Sequence, residues 1–506
     1  MGFKGLLGTS EENYYEGHMS EPDFFADLNL SLVISGIIKP FEKFNLKSLF
    51  LSPLKDIDAI EFRQAVFRDL ENDELFGILK KFSLNMKTVI GHLSTLEKLY
   101  EYQREGWYLD ALLLYSSSIK NLSNAFSKLK LESAGLVSFR DFLLDYINSI
   151  AYKTLVQTAQ EIRDNISDLE FLMVIGNGKI TVSGFSGGED YSKKIIDSFE
   201  RFGDYATHKE SLRIKENDGM SHVEAAVLAL VAKKFPEPFK KLKDFYESYK
   251  SFLNATILNF YYDLQFYISY CDFIRPMKSM GLHFTLPQIS HSKNVMAKET
   301  FDIALASKLT SEKKETITNN FYLSEEENII VVTGPNNGGK TTFARTFGQL
   351  HFLGLLGVPV PGACAKLFLF DGIYTHFERS EDLENLRSKL EDDLHRIKEI
   401  LSQSTSNSII IINEMLSSAS VMDAVSIGTK IIEAVRAKGS LCVYVTFIDQ
   451  LTRLKGTLSM VSQVDPDDPA IRTFKILRQE SNGLAYARAL AEKYGLTYER
   501  ILERIK

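Results

Sequence analysis

A chain of 506 residues exceeds what one hydrophobic core usually organises, so roughly two to four domains are expected, and a 44% apolar content is ample to fill them. The net charge of −7 excludes a globally basic polynucleotide binder, so any nucleic-acid contact has to come from local basic surface. No uncharged run approaches the ~18 residues that span a bilayer, and no membrane partner is expected.

The opening Met1-Gly2-Phe3-Lys4-Gly5-Leu6-Leu7-Gly8 has too short an apolar core for a secretory signal, and Leu6 stands where a myristoylation signal wants Ser or Thr. Cys271, Cys364 and Cys442 lie far apart, without the C-x-x-C spacing of a metal or redox site. They read as reduced thiols, which suits a cytoplasmic location.

From about residue 22 to 166 the pattern is that of successive amphipathic helices, with apolar residues three and four apart, as in Ile60, Phe62, Val66 and Leu70, then Leu75, Ile78 and Leu79. Ser52-Pro53-Leu54-Lys55-Asp56-Ile57-Asp58 reads as a loop and a helix start, with Asp56 or Asp58 as cap. Such helices pack on one another, so an elongated helical domain is expected, with Trp107 and Tyr108 in its core. Residues 171–175 and 179–182 flank Gly176-Asn177-Gly178, a compact hairpin signal. A Gly/Ser loop follows at 183–189. Helices then resume near Tyr191 and run, with breaks near Asn217-Asp218-Gly219 and at Pro236, to about Tyr270. Lys233, Lys234, Lys240, Lys241 and Lys243 form the most concentrated positive stretch here and read as a solvated helix face balanced by Glu237, Asp244 and Glu247.

Between 281 and 321 periodicity weakens, and Ser290-His291-Ser292-Lys293-Asn294 suggests a connection, with a domain boundary near 290. His283 and His291 have no Cys or second pair alongside and read as loop or core histidines. Beyond 321, short apolar strands at 329–332, 367–370, 409–412 and 441–445 alternate with helical stretches, the mark of a parallel sheet covered by helices on both faces.

The first of these strands runs into Gly334-Pro335-Asn336-Asn337-Gly338-Gly339-Lys340-Thr341-Thr342. Gly334, four residues, then Gly339-Lys340-Thr341 is the spacing at which backbone N–H groups curl around phosphate oxygens at the positive end of a helix dipole. Lys340 is placed to reach the β- and γ-phosphates of ATP, and the Thr341 hydroxyl to ligate Mg²⁺. A charged amphipathic helix from about 381 carries Leu383, Leu386, Leu390, Leu394 and Ile397 on one face. Ser408-Ile409-Ile410-Ile411-Ile412-Asn413-Glu414 is a buried strand ending in polar groups at the carboxyl edge of the sheet, the Walker B position. Asn413 stands where most P-loop ATPases have Asp, bringing an oxygen to the Mg²⁺ shell without a charge, and Glu414 is the candidate general base. Ser417-Ser418-Ala419-Ser420-Val421-Met422-Asp423 is a small-residue loop of the kind that crosses the interface in face-to-face ATPase dimers.

Thr333-Gly334-Pro335-Asn336-Asn337-Gly338-Gly339-Lys340-Thr341-Thr342 resembles the Walker A element of the MutS family of DNA mismatch-repair ATPases, a narrower pattern than the general motif. Asn319 with Leu323 resembles the family's nucleotide-base segment, Pro359-Val360-Pro361-Gly362-Ala363 its Val-Pro-Ala turn, and Asp371-Gly372-Ile373-Tyr374-Thr375 its Asp-x-Ile-Phe-Thr. Arg387-Ser388 falls on the Ser-Thr-Phe signature, whose serine reaches the nucleotide of the opposite subunit, and Asp423 matches the interface loop. Ser52-Pro53-Leu54-Lys55-Asp56 with Arg63-Gln64-Ala65-Val66-Phe67-Arg68-Asp69-Leu70 resembles the start of the core-lever domain. Departures are Asn413, Phe447 where relatives carry a histidine after Thr446, and the expected lack of both a mismatch-reading domain before the helices and an Smr domain after them.

The resemblance implies a multidomain protein, an all-α core/lever domain over 1–290 with its hairpin and an ABC-type α/β P-loop ATPase over 291–506. Gly334 to Thr342 and Asn319 would hold the nucleotide, Ser388 would act in trans, and Thr341, Asn413 and Glu414 would hold Mg²⁺. Glu414 and Lys340 would carry slow ATP hydrolysis. A homodimer through the ATPase domains would close around DNA of defined structure, without reading a mispair. The alternative is a nucleotide-dependent module that assembles with protein or ribosome and has no direct DNA role.

Overall fold

The computed structural model describes residues 3–8, 20–185, 187, 220–378, 389–417, 419–465, 467–468, 471–481, 498 and 501–502. A helical N-terminal region is followed by a C-terminal α/β region, and packing separates two compact units.

The first unit comprises Met1–Phe3, Asn72–Leu131 and Val137–Tyr261. Its helix Asp73–Thr95 starts where the Asn72 side chain accepts bonds from the Glu74 and Leu75 amides, and buries Leu75, Phe76, Leu79, Phe82, Met86 and Val89 at helical spacing. Against it lies Glu101–Lys128, with Tyr108, Leu112, Tyr115, Ile119, Leu122 and Phe126 inward. Phe139 of the helix Ala134–Asn148 stacks on Phe260 with ring centroids 3.6 Å apart. Trp107 is half-buried, packed on His92, while Tyr108 is buried.

After the helix Ile150–Ser167, capped by Ser149, strands β1 (Phe171–Gly176) and β2 (Lys179–Gly184) form the expected antiparallel hairpin. Positive φ at both Asn177 (51°) and Gly178 (71°) marks a turn whose twist matches that of the strands. The helix His222–Lys234 starts in a capping box of Ser221 and Glu224. Pro236 opens the next helix, Pro236–Ser248, where Lys243 pairs with Glu101 at 2.7 Å and Lys240 and Lys241 are exposed. The break read near 217–219 and the helix start near 191 lie outside the described residues. The final helix of the region, Ala255–Ser279, outruns its expected end at Tyr270 and carries Pro276 in its last turn.

The second unit comprises Lys4–Glu71, Glu132–Leu136 and Tyr262–Lys506. This division and the boundary read near 290 fall at different positions. Asp56 caps the helix Ile57–Asp69, accepting from the Ala59 amide at 3.0 Å. Within that helix Arg63 is fully buried, donating to the carbonyls of Leu7 (2.8 Å) and Leu356 (3.2 Å).

The stretch 281–321, where periodicity weakens, holds β3 (Phe284–Thr285), β4 (Gln288–Ser290), β5 (Met296–Thr300), the helix Ile303–Ser311 and β6 (Asn319–Tyr322). There follow β7 (Ile329–Thr333), β8 (Val360–Pro361), β9 (Cys364–Phe368), β10 (Ile373–His376), β11 (Ile409–Asn413), β12 (Leu441–Val445), β13 (Thr457–Val464) and β14 (Arg472–Arg478). The main sheet has the order β10-β11-β12-β7-β13-β14, parallel except for β14. One expectation is corrected: the apolar run at 367–370 overlaps β9, which pairs with β4 and β5 in a separate four-stranded sheet, and the parallel edge is β10. Apolar content alone does not say which sheet a short strand joins.

Both faces of the main sheet are covered. Ile329, Val331, Ile410, Ile412, Cys442 and Tyr444 form one core with Ile397 and Ile400 of the helix Lys389–Gln403 and Ile431, Ile432 and Val435 of Val421–Lys438. Leu390 joins this core, but Leu394 is 37% exposed, which corrects the expected apolar face, and Leu383 and Leu386 lie outside the described residues. On the opposite face the helix Lys340–Leu355 brings Gly348 so close that an added Cβ would lie 2.8 Å from Ile411 and 2.6 Å from Leu28. No described helix is long and apolar enough to cross a membrane.

Gly348→Val should therefore lower the unfolding free energy by about 1–3 kcal/mol through overpacking. Gly77→Ala, in the middle of a helix with nothing within 4 Å of the added methyl, should raise it by about 0.5–1 kcal/mol. Chemical denaturation of the two variants reads both. Glu105 is fully buried, neither carboxyl oxygen has a hydrogen-bond partner, and its pKa rises to about 7, mainly from desolvation and next from Glu101, with Lys243 and Arg104 opposing and Glu247 reinforcing. The folded state thus holds a proton that the unfolded chain has lost. Stability from this group is full below the ordinary carboxylate range and falls as pH rises to about 7. Glu105→Gln should flatten that decline in thermal melts between pH 5 and pH 8, and an unchanged profile would contradict the assignment.

Candidate functional site

β7 consists of Ile329-Ile330-Val331-Val332-Thr333, every residue buried, as suits a strand enclosed on both faces and both edges by β12 and β13. Its carboxyl end delivers the loop 334–339 to the edge of the sheet. Gly338 lies against β13: an added Cβ would meet Ser462 Oγ at 2.2 Å, and that hydroxyl donates to the Gly338 carbonyl at 2.7 Å. Gly339, at φ 91°, is the left-handed residue from which the helix Lys340–Leu355 starts. No side chain caps this helix, and first-turn amides without a side-chain partner are suited to an anion.

Lys340 is 3% exposed. Its ammonium donates to the carbonyls of Gly334 (3.1 Å) and Pro335 (3.0 Å), lies 3.8 Å from Glu414 Oε1, and sits 4.5 Å from the centre of the Phe447 ring. Burial lowers its pKa and the Glu414 carboxylate opposes that shift. Next along the helix, Thr341 Oγ1 donates to Asn413 Oδ1 at 2.9 Å. Glu414 follows at the end of β11 with φ 54°, its amide bonded to the Val445 carbonyl. Non-glycine residues held at positive φ tend to cluster at functional sites, and Asn337, Glu414 and Phe474 do so here.

A cavity of about 930 Å³ joins these groups. Asn336, Asn337, Gly338, Gly339, Lys340, Thr341, Thr342, Glu414 and Asn319 all line it, while Gly334 and Pro335 enter through the carbonyls that hold Lys340. Asn319 spends its side chain on β14, donating to Phe474 O (3.1 Å) and accepting from the Ile476 amide (2.7 Å). Ser388 lies outside the described residues. Asp423 stays within its own helix start, bonded to Ser420, which caps Val421–Lys438.

Sequence reasoning missed Leu305, Leu309, Ile317, Arg472 and Phe474, which also line the cavity. Arg472 donates to the Asn336 carbonyl at 3.1 Å, fixing the loop from the β14 side. No local pattern marks these residues, since long-range pairing brings β14 to the loop. The hydroxyl of Thr341, the amide oxygen of Asn413 and the Glu414 carboxylate are hard oxygen donors, which fit Mg²⁺ bound largely through phosphate and water. Among the described residues no cluster of three His, Cys, Asp or Glu forms a self-sufficient metal cage.

The model of MutS domain V matches residues 330–496, from β7 through β14 and beyond. The chain is similar to the DNA mismatch repair protein MutS of Thermus aquaticus, 32% identical over 146 residues, which is 29% of this chain and 18% of that protein. MutS of Thermotoga maritima is 32% identical over 139 residues (28% of this chain, 18% of that protein), and MutS of Rickettsia akari 26% over 229 residues (45% and 24%). The chain thus spans less than a quarter of the curated relatives it matches. Residues 330–496, which carry Lys340, Thr341, Asn413 and Glu414, are thus similar to domain V of MutS proteins.

Proposed function

We propose that the protein binds ATP with Mg²⁺ in the cavity at the end of β7 and hydrolyses it slowly, and that two copies use this cycle to close around DNA of defined structure. The observation that carries the reading is the convergence of Lys340, Thr341 and Glu414 on one cavity, with Thr341 bonded to Asn413 at 2.9 Å.

Triphosphate oxygens would lie against the uncapped amides of 338–342, and the Lys340 ammonium would exchange its carbonyl partners for the β- and γ-phosphates. Thr341, Asn413 and Glu414 would hold Mg²⁺, which would supply charge neutralisation on the phosphates. Glu414 would accept the proton of the attacking water. Asn413 brings a dipole where a carboxylate would bring a full charge, and Phe447 presents a ring, so neither strengthens turnover. Asn336, and Ser388 from the other copy, would complete the site across a dimer, with the helical region of 1–290 as the arms that take up DNA. Domain V and the MutS relatives favour DNA as the partner over a protein or ribosome.

Lys340→Ala should remove measurable ATP binding in calorimetry. Glu414→Gln should keep binding and lower steady-state hydrolysis by about 100-fold or more, the usual worth of a general base; unchanged turnover would show that Glu414 is not the base. The DNA reading is tested by titrating duplex, junction and single-stranded DNA with ATP at low salt, where phosphate contacts are strongest. Affinity should fall as salt rises, and no binding to any of the three at low salt would sink it in favour of an assembly module.

A further inference from the structure

Resting on the nucleotide reading above, we infer that the base end of the cavity is a stacking platform, Phe474 held by Asn319, which accepts adenine and guanine nucleoside triphosphates with little discrimination. The carboxamide of Asn319 is bonded on both sides of Phe474: Nδ2 donates to its carbonyl at 3.1 Å and Oδ1 accepts from the amide of Ile476, two residues on, at 2.7 Å. Between these bonds Phe474 adopts φ 58°, a conformation unfavourable for an aromatic residue and one that persists only where neighbours over-determine it. The residue so held borders the phosphate loop, since a Cβ added at Gly339 would lie 3.8 Å from its own Cβ, and it is 48% exposed. Asn319 therefore acts on a bound base through Phe474 and not through its own edge.

Leu305, Leu309 and Ile317 supply the apolar remainder of that end. Its other polar side chains, among the described residues, are poorly suited to reading a base edge. Lys314 is exposed and paired with Glu312 at 2.7 Å, Glu315 is exposed, and Thr473 donates to the Gln463 carbonyl at 3.1 Å. A pocket that hydrogen-bonds a substrate group rejects an analogue lacking it by large factors, whereas one offering apolar and stacking contact discriminates weakly. Every purine has a π-face for such a platform.

The test is isothermal titration of the full chain with MgATP and MgGTP. The two dissociation constants should agree within about tenfold, and Phe474→Ala should weaken both by about tenfold or more, while Lys340→Ala removes both. A wild-type preference for ATP greater than about tenfold overturns the inference and leaves the nucleotide reading intact; so does a Phe474→Ala variant that binds both nucleotides like the wild type. If the wild type binds neither, the nucleotide reading falls and this inference falls with it. The wild-type ratio decides the matter without relying on any variant's folding.

Discussion

The ammonium of Lys340 sits 3% exposed at the carboxyl edge of the sheet, and a buried cation has to be partnered or lose its proton. Much of the site's form follows from this constraint. The loop 334–339 curls so that two of its own carbonyls reach the ammonium, which obliges the chain to turn back sharply before the helix begins. Glu414, the nearest carboxylate, is held at 3.8 Å, and Phe447 closes the remaining side with its ring face. These partners hold the charge less firmly than water would, so the lysine's pKa moves down, and a phosphate at the loop would meet a cation whose present partners are weak competitors. The close seat of Gly338 on Ser462 serves the same end, fixing the loop to β13 where any side chain would push it away.

The back of the site is held as tightly as its mouth. Gln349, two and a half turns along the helix from Lys340, accepts from the Ile303 amide (3.0 Å) and donates to Asp302 Oδ1 (3.0 Å) and to the Leu28 carbonyl (2.8 Å). Asp302 caps the helix Ile303–Ser311, which carries Leu305 and Leu309 to the cavity. Burial raises the Asp302 pKa, and the bonds from Leu305 and Gln349 hold that rise in check. Arg345 adds a bond to the Asp27 carbonyl (2.8 Å), and Asp27 in turn accepts from Thr375 of β10 (2.6 Å). The early segment around 27–28 is therefore tied to the phosphate-loop helix and the sheet edge by side chains whose polar atoms are buried or half-buried, where a missing partner costs more than the bond itself supplies.

What could be read beforehand divides along the same physical line. The loop 334–342 was legible because its form is local: glycines, a lysine and a threonine at fixed spacing are both the signal and the structure. Asn413 and Glu414 were legible as the polar end of a buried apolar run, and the hairpin at 171–184 as two apolar runs about a turn pair. The four-stranded sheet of β4, β9, β5 and β6 was not, since its strands are three to five residues long and pair across wide sequence gaps, leaving no period to detect. The run at 367–370 misled for that reason. Phe474 and Arg472 escaped notice because nothing in β14 distinguishes the residues that reach the loop from their neighbours; only the antiparallel pairing of β14 on β13 decides it.

Asn413 shows how one neutral atom changes the balance of the site. An aspartate there would place a second carboxylate beside Glu414, helping to order Mg²⁺ but adding repulsion toward a triphosphate. The carboxamide keeps the bond to Thr341 Oγ1 at 2.9 Å and removes that charge. Lys340 then faces Glu414 alone at close range, and Arg472 stands on the far side of the loop, where it lowers the lysine's pKa further. At an effective dielectric of ~20, a unit charge 4 Å away is worth up to about 4 kcal/mol before screening, enough for its removal to alter binding and chemistry by different amounts. Phosphate binding would draw mainly on the loop amides and Lys340, which a carboxamide at 413 leaves in place, whereas turnover would draw on a metal shell ordered by charge. On the proposed reading, a carboxamide at this position would weaken hydrolysis and spare nucleotide affinity, which would suit a protein whose bound state matters more than its turnover rate.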